Sequence, residues 1–239
     1  MSKPTLYYMW ESPPCCTVIA IARILNIELD MKHVDLTKKD QNNPEFKKIN
    51  PFAIVPTFVE TDGYTLWESR AISTYLVQSR SPDSTLYPGS DLKKRSTIDK
   101  FLQYDLGTFN RAIYDVVSEI FKSGKLNEQN IPRLGEVLKT LEETLAANNE
   151  SNGGPFITGD DQLTIADISM HFSWTLLSLL PERLIDQSSY PTIRAWNQAV
   201  IQALKPYNRD QKFTEAQRRL KAFITMMIES AKNTGAKTK

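Results

Sequence analysis

The 239-residue sequence predicts a small α/β domain followed by an all-helical one, on three observations. Residues 1–80 alternate strand-like and helix-like patterns. Residues 81–91, from Ser81-Pro82-Asp83 to Pro88-Gly89-Ser90, are turn-rich and read as a linker. Beyond them, over 92–239, the strand signal disappears and apolar residues recur at helical spacing.

Each element of the first domain has a local cause. Thr5 to Met9 reads as a strand. Pro13-Pro14 cannot continue a ladder but suits a helix start. Cys15 to Leu25 then puts Val18, Ile21, Ala22 and Leu25 at helical spacing. Met31 to Leu36 alternates enough for a second strand. Asn43-Pro44 opens a short helix that ends near Ile49, where Asn50-Pro51 stops it. Thr57 to Glu60 and Tyr64 to Trp67 flank Thr61-Asp62-Gly63, a hairpin signal. Glu68 to Val77 is helical. The order is β-α-β-α-β-β-α, with the last two strands antiparallel.

In the second domain helices are expected over roughly 91–122, 127–148, 164–180, 190–204 and 213–231, with a loop from Asn149 to Pro155. Thr164-Ile165-Ala166-Asp167 fits a helix start. The Thr hydroxyl can cap, and the Asp carboxylate can reach back to a free N–H. In the last helix Leu220, Phe223, Ile224, Met227 and Ile228 form one apolar stripe.

Bulk properties exclude several functions. The chain is 41% hydrophobic and 24% charged, with a net charge of +1. No basic block marks a nucleic-acid partner. No apolar run approaches the ~20 residues that span a bilayer, and the start has no secretory signal pattern. Cys15 and Cys16 are adjacent and cannot form a disulfide framework, which fits a reducing cytoplasmic setting.

Three short stretches carry candidate chemistry. Ser12 follows the first strand and precedes a helix, where the positive helix end favours an anion such as a thiolate. Its hydroxyl can either cap the helix or donate to that anion. Val55-Pro56 precedes the third strand; composition alone favours a trans bond. Glu68-Ser69-Arg70 follows the fourth strand and opens a helix. It either caps that helix or offers groups to a ligand's ammonium and carboxylate.

Taken together, "SPPC", "NPFAIVPTF" and "LWESRAISTYL", with "KRSTIDKFLQYDLGTF" and "LTIADISM" further on, resemble the glutathione transferase family. The resemblance is closest to the arthropod delta and epsilon classes. It implies a thioredoxin-like N-terminal domain that binds glutathione, and a homodimer. Ser12 would hydrogen-bond the glutathione thiolate as the catalytic residue. Pro56 would be cis and Val55 would pair its backbone with the cysteinyl part. Glu68 and Ser69 would hold the γ-glutamyl end with Arg70 nearby. Asp105 would reach across the dimer interface towards the partner's glutathione. Gln41, Ala53 and Ile54 would complete the site. A hydrophobic pocket for the second substrate would draw on Trp10, Phe52, Phe109, Tyr114, Val117 and Phe121. No metal is expected.

Two positions depart from the family pattern. Histidines are usual where this chain has Ala53 and Gln41. Gln41 carries no charge, and Ala53 can contribute only backbone. Lys38, Lys39 and Lys47 are nearby cations. In the redox turn of related domains Ser12 takes the first cysteine's place, which removes the attacking thiol. Cys15 is then a small packed residue, whereas Cys16, if exposed, could form a mixed disulfide with glutathione. The implied function is conjugation of glutathione to hydrophobic electrophiles, with hydroperoxide reduction as a companion activity. The alternatives are a carrier that sequesters hydrophobic ligands, which Ala53 and Gln41 favour, and an interaction module. The role of the stretch after Phe213 is open.

Overall fold

The computed structural model describes residues 2–177, 180, 184–208 and 210–235; for Phe121, Lys122 and residues 231–235 it describes the backbone alone. Its first half runs β1 (Thr5–Tyr8), α1 (Pro13–Ile24), β2 (Asp30–His33), α2 (Pro44–Ile49), β3 (Thr57–Val59), β4 (Thr65–Trp67) and α3 (Ser69–Arg80). The order expected from sequence is the observed one. The second strand is shorter than expected, because Leu36–Lys38 turns into a 3-10 helix capped by the Asp35 side chain. The four strands lie in the order β2-β1-β3-β4. β1 runs parallel to β2 and antiparallel to β3, and β4 is antiparallel to β3. Leu6 on β1 pairs with Phe58 on β3, and both are fully buried.

The second half contains α4 (Leu92–Tyr104), α5 (Asn110–Ser123), α6 (Ile131–Asn152), α7 (Ile165–Leu177), α8 (Pro191–Leu204) and α9 (Lys212–Gly235). Residues 91–122, expected as one helix, are two, joined by a π turn at Asp105–Phe109 that aims Asp105 and Phe109 inward. Such turns concentrate at functional sites. The loop expected from Asn149 begins later, since α6 continues to Asn152 and ends on Gly153 at φ 78°. A left-handed glycine just past the last turn is the usual way to stop a helix.

α1 and α7 hold the two halves together. Cys15 to Ala22 are all buried, so α1 has no solvent face. α7 is buried along nearly its whole length, as a helix apolar all round must be. The two helices pack on each other. The expected capping arrangement at α7 is present: Thr164 N–H donates to Asp167 Oδ2 (2.9 Å) and Asp167 N–H to Thr164 Oγ1 (3.4 Å).

His171 lies in this core, with Nδ1 2.7 Å from Asn197 Oδ1. Burial pushes its pKa from 6.5 down to about 4, against the opposing hydrogen bond. The folded state therefore resists protonation more than the unfolded chain does. Stability from this group is complete above pH ~6.5 and is lost as pH falls towards 4, by about 3 kcal/mol at ~1.4 kcal/mol per pH unit. Urea unfolding at pH 7 and at pH 4.5 should show this loss. His171→Gln should flatten it, and an unchanged slope in that variant would assign the acid sensitivity to other groups.

Candidate functional site

Strand directions bring the three candidate stretches to one end of the sheet. Tyr7 of β1 pairs with Thr57 of β3, which pairs with Trp67 of β4. Because β3 opposes both neighbours, the end of β1, the start of β3 and the end of β4 share an edge. Ser12, Pro56 and Glu68 each follow or precede those points by a few residues.

Ser12 has an extended backbone (φ −92°, ψ 112°), and its side chain makes no capping bond. Its N–H donates to the Met9 carbonyl (3.2 Å), and its carbonyl accepts from Cys16 N–H (3.1 Å). The main chain is thus fixed while the hydroxyl stays out of helix capping. Pro13 and Pro14 carry no N–H, and that of Cys16 is already used. The helix end therefore offers few donors, which increases the weight of the Ser12 hydroxyl.

Neither cysteine is a thiolate. Burial pushes the Cys15 pKa up to about 11, with the adjacent Ser12 hydroxyl and Met9 backbone opposing it. Burial also raises Cys16, which is only 5% exposed and donates its thiol to the Trp10 carbonyl (3.1 Å). The exposed, mixed-disulfide reading of Cys16 is thereby corrected.

The Val55–Pro56 bond is cis, against the compositional prior and as the family resemblance implies. The loop before it is stitched by a residue that sequence reading treated only as a helix stop. Asn50, fully buried, donates Nδ2 to Thr57 Oγ1 (2.7 Å) and to the Ile54 carbonyl (3.2 Å), and its Oδ1 accepts from Phe52 N–H (3.0 Å). Ala53 sits at φ 54° and Glu68 at φ 69°. Both are left-handed conformations that side-chain-bearing residues rarely adopt, and such strain gathers at ligand sites. Ser69 is buried, Glu68 is exposed, and Gln41, Ala53 and Val55 are half-buried. Lys38 is tied to Asp35 (3.3 Å), so it is committed elsewhere.

Asp105 requires a correction. It is fully buried and bound to Arg70 within the same chain. Ser169 Oγ also donates to its Oδ2 (2.6 Å). A carboxylate with no solvent access cannot extend to a partner's ligand. It lies instead behind the Glu68–Ser69 turn.

The expected hydrophobic pocket also changes. Phe109, at the end of the π turn, and Val117, on α5, are core residues. Tyr114 is exposed, and Phe52 is 65% exposed and packs on Trp67 (5.3 Å). The side chain of Phe121 lies outside the described residues. Trp10 is half-buried and meets Tyr8 edge-on (5.5 Å). It lines a narrow apolar cleft of about 10 Å³, room for about one water molecule, with Pro13 and Cys16 on one wall and Phe172, Ala216 and Leu220 on the other. The second wall comes from α7 and α9, whose role the sequence left open.

Similarities to known proteins agree with this geometry. Residues 2–78 match the family model described as glutathione S-transferase, N-terminal domain. The chain is 33% identical over 196 residues to glutathione S-transferase D7 of Anopheles gambiae, covering 82% of this chain and 84% of that one. A delta-class glutathione transferase of Nilaparvata lugens superimposes with a TM-score of 0.82 at 30% identity, covering 94% and 99% of the two chains. A glutathione transferase homologue of Drosophila mojavensis, solved with bound glutathione, does so at 0.80 and 27%, covering 95% and 98%. With a thioredoxin-like sheet, an all-helical second half and this extent of identity, the chain belongs to the glutathione S-transferase family.

Proposed function

We propose that this chain is a glutathione transferase that conjugates the glutathione thiolate to hydrophobic electrophiles. The observation that carries the reading is the Ser12 turn: a fixed main chain, a hydroxyl outside helix capping, and two protonated cysteines that leave the nucleophile to come from the ligand. Glutathione is the co-substrate. A free thiol with pKa near ~8.5 is only a few per cent ionised at neutral pH. A hydrogen bond to the charged form contributes about 1.5–3 kcal/mol and the helix end about 0.3–1. Each pH unit of lowering needs about 1.4 kcal/mol, so the two together bring ionisation close to neutrality.

In this mechanism Val55 aligns the cysteinyl backbone of glutathione, and Glu68 and Ser69 receive its γ-glutamyl end. The bound thiolate attacks an electrophilic carbon in the apolar cleft, forming a C–S bond as halide leaves or an activated double bond accepts the electron pair. Ser12→Ala should raise the pKa of bound glutathione by about 1–2 pH units, read by ultraviolet thiolate absorbance. An unchanged titration would remove Ser12 from this role.

Ala53 and Gln41 weaken the hold on glutathione but do not favour a carrier over an enzyme. The backbone at Ala53 is already left-handed, a conformation in which His is enriched. Ala53→His should therefore fit without rearrangement and tighten glutathione binding roughly tenfold, the worth of one charge-assisted bond. Calorimetry giving the same Kd would mean that residue 53 faces away from the ligand. Assembly as a homodimer in the cytosol accompanies this reading, supported by family membership and by the exposed ring of Phe52, which packs on half-buried Trp67.

A further inference from the structure

Near the cleft by the Ser12 turn, one arginine joins α1 to the segment that leads into α9. Arg23, in the last turn of α1, donates Nη1 to the Tyr207 carbonyl (2.9 Å). It also grips Asp210 with both nitrogens, at 3.0 and 2.8 Å to the two carboxylate oxygens. Its guanidinium lies over the rings of Phe213 (4.9 Å) and Trp10 (5.6 Å), which meet edge-on at 5.8 Å. Phe213 in turn packs on Phe172 of α7 (5.3 Å).

One cation thus joins the end of α1, the tight turn before α9 (Gln211 at φ 55°), the Phe213 ring and the Trp10 ring that lines the cleft. The fork geometry matters: an arginine can hold a carboxylate with two bonds and stack on aromatic faces together, and a lysine cannot. From this anchor α9 runs past the Ser12 turn. Ala216 and Leu220 face Trp10 and Pro13 across the cleft, and Arg219 lies 3.9 Å from Glu11 at its edge. At about 10 Å³ the cleft has room for about one water molecule, so a larger guest needs α9 to stand further from Trp10 and Pro13. The position of α9 therefore decides which molecules fit.

We propose that Arg23 is a positioning residue for the second substrate: by gripping Asp210 and stacking on Trp10 and Phe213 it sets the width of the cleft between the Ser12 turn and α9. The proposal rests on the transferase reading in assigning the cleft to the electrophile. It adds that the choice of electrophile is governed by a contact between α1 and the start of α9, which does not touch the substrate.

The test uses the full chain with Arg23→Ala, Arg23→Lys and Asp210→Asn. Each is assayed for conjugation of a small and a bulky chlorinated nitroarene, for binding of the apolar dye 8-anilinonaphthalene-1-sulfonate, and for amide exchange in residues 212–224. With the anchor removed, KM for the small nitroarene should rise several-fold relative to that for the bulky one. Glutathione Kd and the bound-thiolate titration should stay as in the parent chain. Dye affinity should change, and exchange over 212–224 should accelerate at least tenfold. Arg23→Lys should recover only part of each effect. Dye affinity, relative KM values and exchange all unchanged in a folded Arg23→Ala chain would overturn the proposal, as would full recovery by Lys. Should no variant or parent turn over either nitroarene, the transferase reading fails by itself, while dye binding and exchange still decide whether Arg23 sets the cleft.

Discussion

Asp167→Ala is expected to cost about 3–5 kcal/mol of folding stability, a large part of the ~5–15 kcal/mol available to a typical domain. The carboxylate is fully buried, and burial raises its pKa. Four donors oppose that rise and hold it in place. Thr164 contributes Oγ1 (2.6 Å) and its N–H (2.9 Å); the Ile157 N–H (2.7 Å) and Trp196 Nε1 (2.8 Å) complete the set. Removing the acceptor strands these donors away from water, at about 1–3 kcal/mol each before relaxation. Asp167→Asn should lose less. Its oxygen can still serve Ile157 and Trp196, while its amide nitrogen confronts the Thr164 N–H. Urea unfolding followed by fluorescence measures both. An Ala variant within 1 kcal/mol of the parent would mean that water or a local shift replaces the carboxylate.

The second large effect is expected at Asp105. The ion pair with Arg70 is almost wholly out of solvent. Breaking such a pair by deleting one partner costs about 3–5 kcal/mol, because the remaining charge is stranded. Asp105→Ala should therefore destabilise the chain by that amount. It should also weaken glutathione binding by tenfold or more, since Arg70 directly follows the Glu68–Ser69 turn. The paired variant Arg70→Met/Asp105→Leu separates the two effects. Two apolar side chains of similar size should restore most of the stability, whereas the turn, no longer tethered, should keep its weakened affinity. Calorimetric titration with glutathione alongside unfolding decides the matter. Full recovery of affinity in the paired variant would show that the ion pair serves folding alone.

Much of the candidate site was legible because its signals are local. Pro13-Pro14 starts a helix wherever it stands, and Thr164 with Asp167 caps one from three residues away. Ser12, Pro56, Glu68 and Ser69 fall at element junctions that strand and helix periodicity locate. What failed was inward against outward placement. Tyr114 and Val117 stand three residues apart on α5, yet Val117 is buried and Tyr114 exposed, while the π turn at Asp105–Phe109 carries Phe109 into the core. A five-residue change of helical pitch has no compositional mark. The same turn buries Asp105, which the family pattern would have pointed outward.

The sequence by itself determined the order of elements, the division between a mixed sheet and a helical half, and the element junctions at which Ser12, Pro56, Glu68 and Ser69 stand. Those depend on residues a few positions apart, whose preferences act before the chain collapses. Only the tertiary structure decided which aromatic rings border the cleft, that Arg70 meets Asp105, and that Arg23 reaches across more than 180 residues to Asp210. Such pairs form when packed helices bring distant charges into a space that excludes water. No local pattern records that meeting, because neither partner's neighbours along the chain take part in it.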